Sequence, residues 1–297
     1  MEDTKIQWHP GFTAAMMLEL KENREDLIFE KEYNLNTKPL EIDLLVIRKE
    51  AGVMIANEIG EFFRIHNIIE YKSPGDHLDI DDFYKVQGYA SLYKSYGKYV
   101  DERKAEEITV TLIREGKPEG LFAYFTERGE QIRQEKRGIY YVEGKIVFPT
   151  QILVTRELEQ ETHTWLRVLS GNVEKSDAGK LLERIQELKE KGERELADSV
   201  LRVMLEANQK LVEEWKGDGK MFEALMEIVE PQIQLREKAL AEKVWKEGRE
   251  EGREEGRREG IKGTIDVLRG IGYGDTKIQE LIIEKYNLSK EEIMEYF

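Results

Sequence analysis

The stretch NIIEYKSPGD, residues 67–76, contains a predicted strand and the point at which that strand ends. Its β-branched and aromatic residues favour extended backbone, and the Ser-Pro-Gly sequence that follows stops it. Side chains alternate between the two faces of a strand, so Glu70 and Lys72 lie on one face, about 6.5–7 Å apart. The sequence therefore predicts a carboxylate and an ammonium group side by side at the end of an apolar strand.

The segments on both sides of this strand predict a mixed α/β unit. One helix is predicted over residues 11–20, which are apolar almost all round, and another over residues 79–96, which begin with aspartates that suit a helix N-terminus. Further strands are predicted over residues 28–35, 41–48, 108–114, 138–142 and 146–154. The α/β unit is expected to end near residue 157.

Beyond this unit the composition changes to charged, amphipathic helical patterns with almost no strand signals. A small helical segment closes the chain, with a capping box predicted from Ser289 to Glu292. The predicted organisation has three parts. They are an α/β core at 1–157, a helical region at 158–246, and a repeat linker with a helical cap at 247–297.

The repeat EGREEGREEGRREG, residues 247–260, has a glycine at every fourth position. Each glycine inside a helix costs about 1 kcal/mol relative to alanine, which is unfavourable for a plain helical spacer. Small residues four apart also allow a second helix to approach closely, and the flanking Glu and Arg residues would pair across that contact. A flexible charged linker is the other interpretation. The unpartnered amphipathic helices and the glycines predict a homo-oligomer, a dimer formed through the C-terminal helical region.

The composition excludes several classes of protein. The chain has 297 residues, a formal net charge of −15 and no cysteine, so disulfides and thiolate-bound zinc or iron–sulfur sites are excluded. The net charge argues against nucleic-acid binding by overall electrostatic attraction. No signal-peptide pattern is present and no segment approaches about 20 consecutive apolar residues. We therefore expect a cytoplasmic protein without a membrane partner.

The residues with catalytic potential are Asp43 and the pair Glu70 and Lys72. Asp43 interrupts an apolar strand, between Ile42 and Leu44. Mg²⁺ binds a few carboxylate oxygens and keeps several waters, and an Asp and a Glu on neighbouring strands can converge on such an ion. A lysine beside the ion would orient or activate water, or neutralise the charge that develops on a phosphate.

This ordered set resembles the PD-(D/E)XK nuclease superfamily, with Asp43 before the strand that carries Glu70-Tyr71-Lys72. Within it, the text EYKSP and the charged glycine repeat resemble the transposase-associated, recombination-promoting (Rpn) type. The resemblance implies a restriction-endonuclease-like core, in which a mixed sheet is flanked by helices. It also implies an endonuclease with Mg²⁺, or Mn²⁺ as a substitute, held by Asp43 and Glu70, and a role in recombination, transposition or defence.

Several residues have more than one interpretation. Glu19 is either a third metal ligand or a buried carboxylate paired with a structural arginine, and Glu32 is an alternative to it at the metal site. Gln87 lies on the flank of the apolar stripe of its helix, where it either supports catalysis or packs against the sheet. Glu70 and Lys72 could also form a plain surface ion pair. The four histidines, His9, His66, His77 and His163, show no metal-ligand spacing and receive no role.

Two functions of different classes remain. The first is a metal-dependent endonuclease acting on DNA rather than RNA, with Asp43, Glu70, Lys72 and Gln87 in its active site and local phosphate contacts from Lys85, Lys94 and Lys98. The second is a catalytically inactive nuclease fold that serves as an oligomeric interaction scaffold. The set of acidic residues and lysine favours the enzyme, whereas the net charge of −15 favours the scaffold.

Overall fold

The structure is a computed structural model, which describes residues 6–31, 44–215, 219–289 and 291–297. The chain forms two units, Met1–Ile228 and Val229–Phe297. The predicted boundary at residue 157 falls just after the last strand. It does not separate the units, because the helices that follow pack back onto the α/β core.

The first unit is built on a seven-stranded mixed sheet with strand order β1-β2-β3-β4-β7-β6-β5. The strands are β1 (Leu27–Glu30), β2 (Leu44–Lys49), β3 (His66–Tyr71), β4 (Ile108–Arg114), β5 (Gln131–Lys136), β6 (Ile139–Glu143) and β7 (Thr150–Val154). The three central strands, β3, β4 and β7, are parallel, and the outer pairs are antiparallel. The protein is therefore an α/β protein, as the sequence predicts.

Nine α-helices are assigned in the described residues. They are α1 (Trp8–Glu19), α2 (Ile80–Ser95), α3 (Glu119–Glu127), α4 (Thr164–Arg167), α5 (Lys175–Glu187), α6 (Lys191–Ala207), α7 (Gln209–Trp215), α8 (Gly219–Gly270) and α9 (Asp275–Tyr286).

Helices cover both faces of the sheet. On one face, Ile68 of β3 belongs to a buried cluster with Phe83 of α2 and Phe125 of α3. On the other face, the ring of Tyr71 stacks on Phe12 of α1 with the ring centroids 4.4 Å apart. Consecutive residues of a strand point to opposite faces, so the α2 side receives Ile68 and Glu70, and the α1 side receives Tyr71.

Helix α1 packs between the sheet and helices that follow the sheet in the chain. Because it is covered on more than one side, it is apolar nearly all round. Gly11 of α1 lies against α6, and a Cβ at this position would come within 2.7 Å of Cγ2 of Val203. Only glycine allows this close approach without movement of the neighbour. One side of α1 thus packs on the sheet and another packs on α6.

The second unit has a small core of its own. Ile261 and Ile265 of α8 pack with Ile278 and Ile282 of α9 and with Ile293. The predicted capping box is confirmed, because the backbone N–H of Glu292 donates to Ser289 and that of Ser289 donates to Glu292. The turn that this box begins is a 3₁₀-helix.

The glycine repeat is helical in the structure, so the interpretation as a flexible linker is wrong. Residues 252–260 lie within α8 and are all exposed. A Cβ at Gly252 or Gly256 would meet no atom within 4 Å. The predicted association through these glycines stays a prediction.

None of the helices in the described ranges combines the length and the apolar character that a membrane crossing requires.

Candidate functional site

The candidate site lies where β3 ends, at the carboxyl edge of the parallel strands. Glu70 is directly opposite Leu44 of β2 on one side and Leu112 of β4 on the other. The backbone of Lys72, just past the strand, still donates to the carbonyl oxygen of Ile113. Both Glu70 and Lys72 are therefore held by regular sheet hydrogen bonds rather than by a loose loop.

The side chains of this edge form a small charge cluster. Lys72 Nζ lies 3.6 Å from Glu70 Oε1 and 2.5 Å from Asp82 Oδ1. Glu70 is only 8% exposed, because it lies between the sheet and the first turns of α2. The prediction that Glu70 and Lys72 lie side by side is confirmed, and Asp82 joins them as a third charged group.

Electrostatics at this edge keep Lys72 in its charged form. Burial lowers the pKa of Lys72, but its hydrogen bond to Asp82 and the charge of Glu70 outweigh burial and raise the pKa overall. Burial raises the pKa of Glu70, against the opposing effect of Lys72 and Lys85. Lys72 is therefore an ammonium group at neutral pH, which can orient a water molecule or neutralise an anion but cannot accept a proton.

Asp82 is the residue that the sequence interpretation missed. The sequence predicts only that this aspartate is an acid of the helix N-terminus, and it does have that role. Asp79 caps α2 by accepting from the backbone of Asp82, and the Asp82 carboxylate accepts from the backbone of Asp79 in return. The same carboxylate also accepts from Lys72 Nζ. The capping box was the available signal, since it fixes this carboxylate in the first turn of α2.

The turn between β3 and α2 is anchored to the neighbouring strand. Arg114, the last residue of β4, donates from Nε to the carbonyl oxygen of Asp76 at 3.0 Å. Its Nη1 donates to the carbonyl oxygen of Gly116 at 2.9 Å. This arginine ties the chain that leaves Lys72 to the edge of the sheet.

The predicted metal ligand Asp43 lies outside the described residues, and so does Glu32, the alternative to Glu19. Leu44, which follows Asp43 in the chain, is the partner of Glu70 across the β2–β3 pair. The assignment of Asp43 to the site stays a prediction.

Gln87 is buried on α2 and contacts β7. Its Nε2 donates to Thr150 Oγ1 at 2.8 Å, and its Oε1 accepts from the backbone N–H of Phe148 at 3.2 Å. Because β4 separates β7 from β3, these bonds hold α2 to the far side of the central strand. The structure thus brings Gln87 to the start of β7, and its predicted catalytic role stays a prediction.

Glu19 lies on the other face of the sheet from Glu70, at the end of α1. Its buried carboxylate is 3.0 Å from Nδ1 of His163, and Asn57 donates to the same oxygen at 3.3 Å. Nε2 of His163 lies 3.4 Å from Oε2 of Glu58. Burial lowers the pKa of His163, but the two carboxylates outweigh burial and raise it above its ordinary value. The structural partners of Glu19 are thus His163 and Asn57 rather than the predicted arginine, and a place among the metal ligands stays a prediction.

Of the three lysines predicted to contact phosphate, Lys85 is the one near the site, where it acts on the pKa of Glu70. Lys94 lies about two and a half turns further along α2, about 14 Å from Lys85 at 1.5 Å per residue, and pairs with Asp101 at 2.9 Å. Lys98 follows the end of α2. A phosphate patch that includes all three would have to run the length of the helix.

In the parts of the chain that the structure describes, no group of three or more His, Asp or Glu side chains is arranged to hold a metal ion. The carboxylates at the end of β3 are nevertheless the donors that Mg²⁺ prefers. This ion binds through one or two protein carboxylates together with waters and substrate phosphates. Glu70 is one carboxylate of this kind, and the predicted ligand Asp43, which lies outside the described residues, would be the second.

Comparisons with family models, with curated proteins and with solved structures give no match to this chain. The resemblance to the PD-(D/E)XK superfamily therefore depends on the ordered motif residues alone.

Proposed function

We propose that the protein is a metal-dependent endonuclease that hydrolyses phosphodiester bonds of DNA. The observation that supports this most is the buried carboxylate of Glu70 within 3.6 Å of the Lys72 ammonium, where β3 ends beside β2. A surface ion pair contributes little to stability, about 0–1 kcal/mol, and gives no reason to bury a carboxylate. A site that binds a cation and a phosphate does give such a reason.

Asp43 and Glu70 would hold Mg²⁺, for which Mn²⁺ is a substitute, and the ion would supply a bound water of lowered pKa and positive charge at the phosphate. Lys72 donates hydrogen bonds to the attacking water or to a phosphate oxygen, because it stays protonated. Asp82 positions the Lys72 side chain through the 2.5 Å contact. Water adds its oxygen to phosphorus and releases a proton to solvent, the bond from phosphorus to the leaving oxygen breaks, and that oxygen takes up a proton from solvent.

The inactive scaffold is the second candidate, and one observation favours it. Lys72 is already engaged by two carboxylates, Glu70 and Asp82, so its own positive charge is neutralised without any ligand. The net charge of −15 also opposes approach of a nucleic acid. A scaffold of this kind has no reason to bind Mg²⁺ or Mn²⁺ at this edge, so metal binding separates the two candidates.

The deciding experiment incubates purified protein with supercoiled plasmid, with and without Mg²⁺. We expect nicking or linearisation that requires the metal and that Asp43→Ala, Glu70→Ala and Lys72→Ala each abolish. The two carboxylate changes should also weaken Mn²⁺ binding in a calorimetric titration, whereas Lys72→Ala should not.

The matched control is Glu143→Ala. Glu143 forms an ion pair with Arg133 of the neighbouring strand, at an exposed edge of the sheet, and the change removes its carboxylate. It should leave cleavage and metal binding unchanged. Thermal unfolding of every variant shows whether the fold is retained. Cleavage by Glu70→Ala at the wild-type rate would refute the proposed site.

A further inference from the structure

The carboxylates beside Lys72 limit what this lysine can do for a phosphate. Its ammonium group lies 2.5 Å from Asp82 Oδ1 and 3.6 Å from Glu70 Oε1, and its side chain is 16% exposed. An ammonium group has three N–H donors, so these two contacts leave one. Two negative charges also surround its single positive charge. Lys72 can therefore orient a water molecule with its remaining donor, but it offers no surplus positive charge to a phosphate.

Lys85 is a second lysine beside the same carboxylates. It follows Asp82 by three residues, so the two side chains are neighbours on the surface of α2. Burial raises the pKa of Glu70, and Lys72 lowers it. Lys85 also lowers this pKa, by more than Asp82 raises it, as expected of a cation close to the Glu70 carboxylate. Lys85 is exposed, so its ammonium group lies on the solvent side of the site.

The charge of Lys85 is not neutralised by a carboxylate. Among the described residues, no Asp or Glu forms an ion pair with it, and its ammonium group instead lies 5.5 Å from the centroid of the Tyr89 ring. Tyr89 is 8% exposed and belongs to the core beneath α2, so the ring is a fixed support. An aromatic ring attracts a cation through its quadrupole and does not cancel the charge. The ring therefore favours one position of the ammonium group and leaves its charge available to an anion.

We propose that Lys85 is a catalytic residue of the endonuclease, which contacts a non-bridging oxygen of the scissile phosphate and stabilises the negative charge that develops there. Lys72 then has the separate task of orienting the attacking water. This inference rests on the proposed function and divides its chemistry between two lysines. A positive charge aimed at the developing negative charge acts mainly in the transition state, so it raises kcat more than it lowers KM.

Cleavage of supercoiled plasmid in Mg²⁺ by Lys85→Gln tests this role. Glutamine and lysine have similar helix propensities, so the fold of α2 is not at risk. Loss of one donor to a developing charge costs about 10²–10³-fold in kcat at an enclosed site. Because Lys85 is exposed and its charge is screened, we expect a fall of about tenfold in kcat and a smaller change in KM. Lys85→Arg keeps the charge and should retain most of the activity.

The matched control is Lys191→Gln. It removes the same charge from a side chain of α6 that is 92% exposed, so it should cleave as the wild type does.

Two binding measurements do not depend on cleavage. In a calorimetric titration, Lys85→Gln should bind Mn²⁺ about two- to fivefold more tightly than the wild type, because a positive charge beside Glu70 is gone. Binding of a short DNA duplex without divalent metal, followed by fluorescence anisotropy, should weaken. The slope of log K against log salt should fall in magnitude by about 0.9, the value for one phosphate contact. A lysine with a purely structural role would not produce this pair of opposite changes.

The outcomes separate this inference from the proposed function. A wild type that cleaves, beside a Lys85→Gln protein that cleaves equally fast, would overturn the role of Lys85 alone. Lost cleavage with unchanged Mn²⁺ binding and an unchanged salt slope would do the same. A wild type that neither cleaves plasmid nor binds Mn²⁺ would overturn the proposed function, and this inference with it.

Discussion

Replacing Glu19 by Gln will lower the free energy of unfolding and change its pH dependence. The carboxylate of Glu19 is buried, lies 3.0 Å from Nδ1 of His163, and also accepts from Asn57. Glutamine retains the volume and one acceptor oxygen but removes the charge that stabilises protonated His163. Breaking a buried ion pair costs about 3–5 kcal/mol, and the retained hydrogen bond offsets part of this cost. We therefore expect the free energy of unfolding to fall by about 2–3 kcal/mol at pH 6.

The direction of the pH effect follows from the raised pKa of His163. Burial lowers this pKa, the hydrogen bonds and charges of Glu19 and Glu58 raise it, and the second effect is larger. Below the ordinary value of 6.5 both the folded and the unfolded chain carry the proton, so the stabilisation is complete. As the pH rises from there through the folded pKa, the stabilisation is lost, by at most about 1.4 kcal/mol per pH unit.

His66 contributes to the pH dependence of the unfolding free energy with the opposite sign. The wild type must therefore be compared with Glu19→Gln. Burial lowers the pKa of His66, and this contribution is therefore lost as the pH falls through 6.5. His66 is unchanged in Glu19→Gln. The difference in unfolding free energy between wild type and variant thus isolates His163, and it should be largest near pH 6 and shrink as the pH rises.

Urea unfolding followed by tryptophan fluorescence, from about pH 5.5 to 8.5, measures this difference. Glu58→Gln is the control, because its oxygen is 3.4 Å from His163 and its side chain is 32% exposed, so its effect should be smaller. A Glu19→Gln protein as stable as wild type at pH 6 would refute the reasoning. If that protein also lost plasmid cleavage, Glu19 would instead belong to the metal site.

Two further predictions concern Gln87 and the glycine repeat. Gln87→Leu should lower the free energy of unfolding by about 1–3 kcal/mol, because the buried N–H of Phe148 loses its acceptor. Cleavage per folded molecule should not change. Lost cleavage at wild-type stability would contradict this prediction. Gly252→Leu combined with Gly256→Leu should reduce association through the C-terminal unit in light scattering, with Gly270→Leu as control. Because Arg and Glu flank these glycines, that association should weaken with salt, and a salt-strengthened one would contradict the prediction.

Elements with strong local signals were predictable from the sequence. The strand predicted over residues 108–114 has those same bounds, because a continuous β-branched run is typical of a strand buried on both faces. The start of α2 was also predictable, since it carries aspartates and acidic side chains are favourable at a helix N-terminus. By contrast α3 and β5 were missed. Strand β5 is charged and largely exposed at the edge of the sheet, so no apolar alternation marks it.

The candidate site was predictable in part, for a physical reason. The neighbours Glu70 and Lys72 follow from the alternation of a single strand. The contact between Lys72 and Asp82 requires knowledge of how the turn after β3 brings α2 back to the sheet edge. The pair formed by Glu19 and His163 joins residues 144 positions apart, and no local pattern encodes such a contact.

The packing of α1 against α6 has a consequence for synthesis of the chain on the ribosome. Val203 is made about 190 residues after Gly11, which at about 5–20 residues per second is a delay of about 10–40 s. During that time α1 has made its apolar surface but lacks the helix that covers one side of it. Nascent chains should therefore expose the apolar surface of α1 early, and they should depend on chaperones until α6 has emerged. Slowing translation between the two helices would lengthen this vulnerable interval and lower the soluble yield.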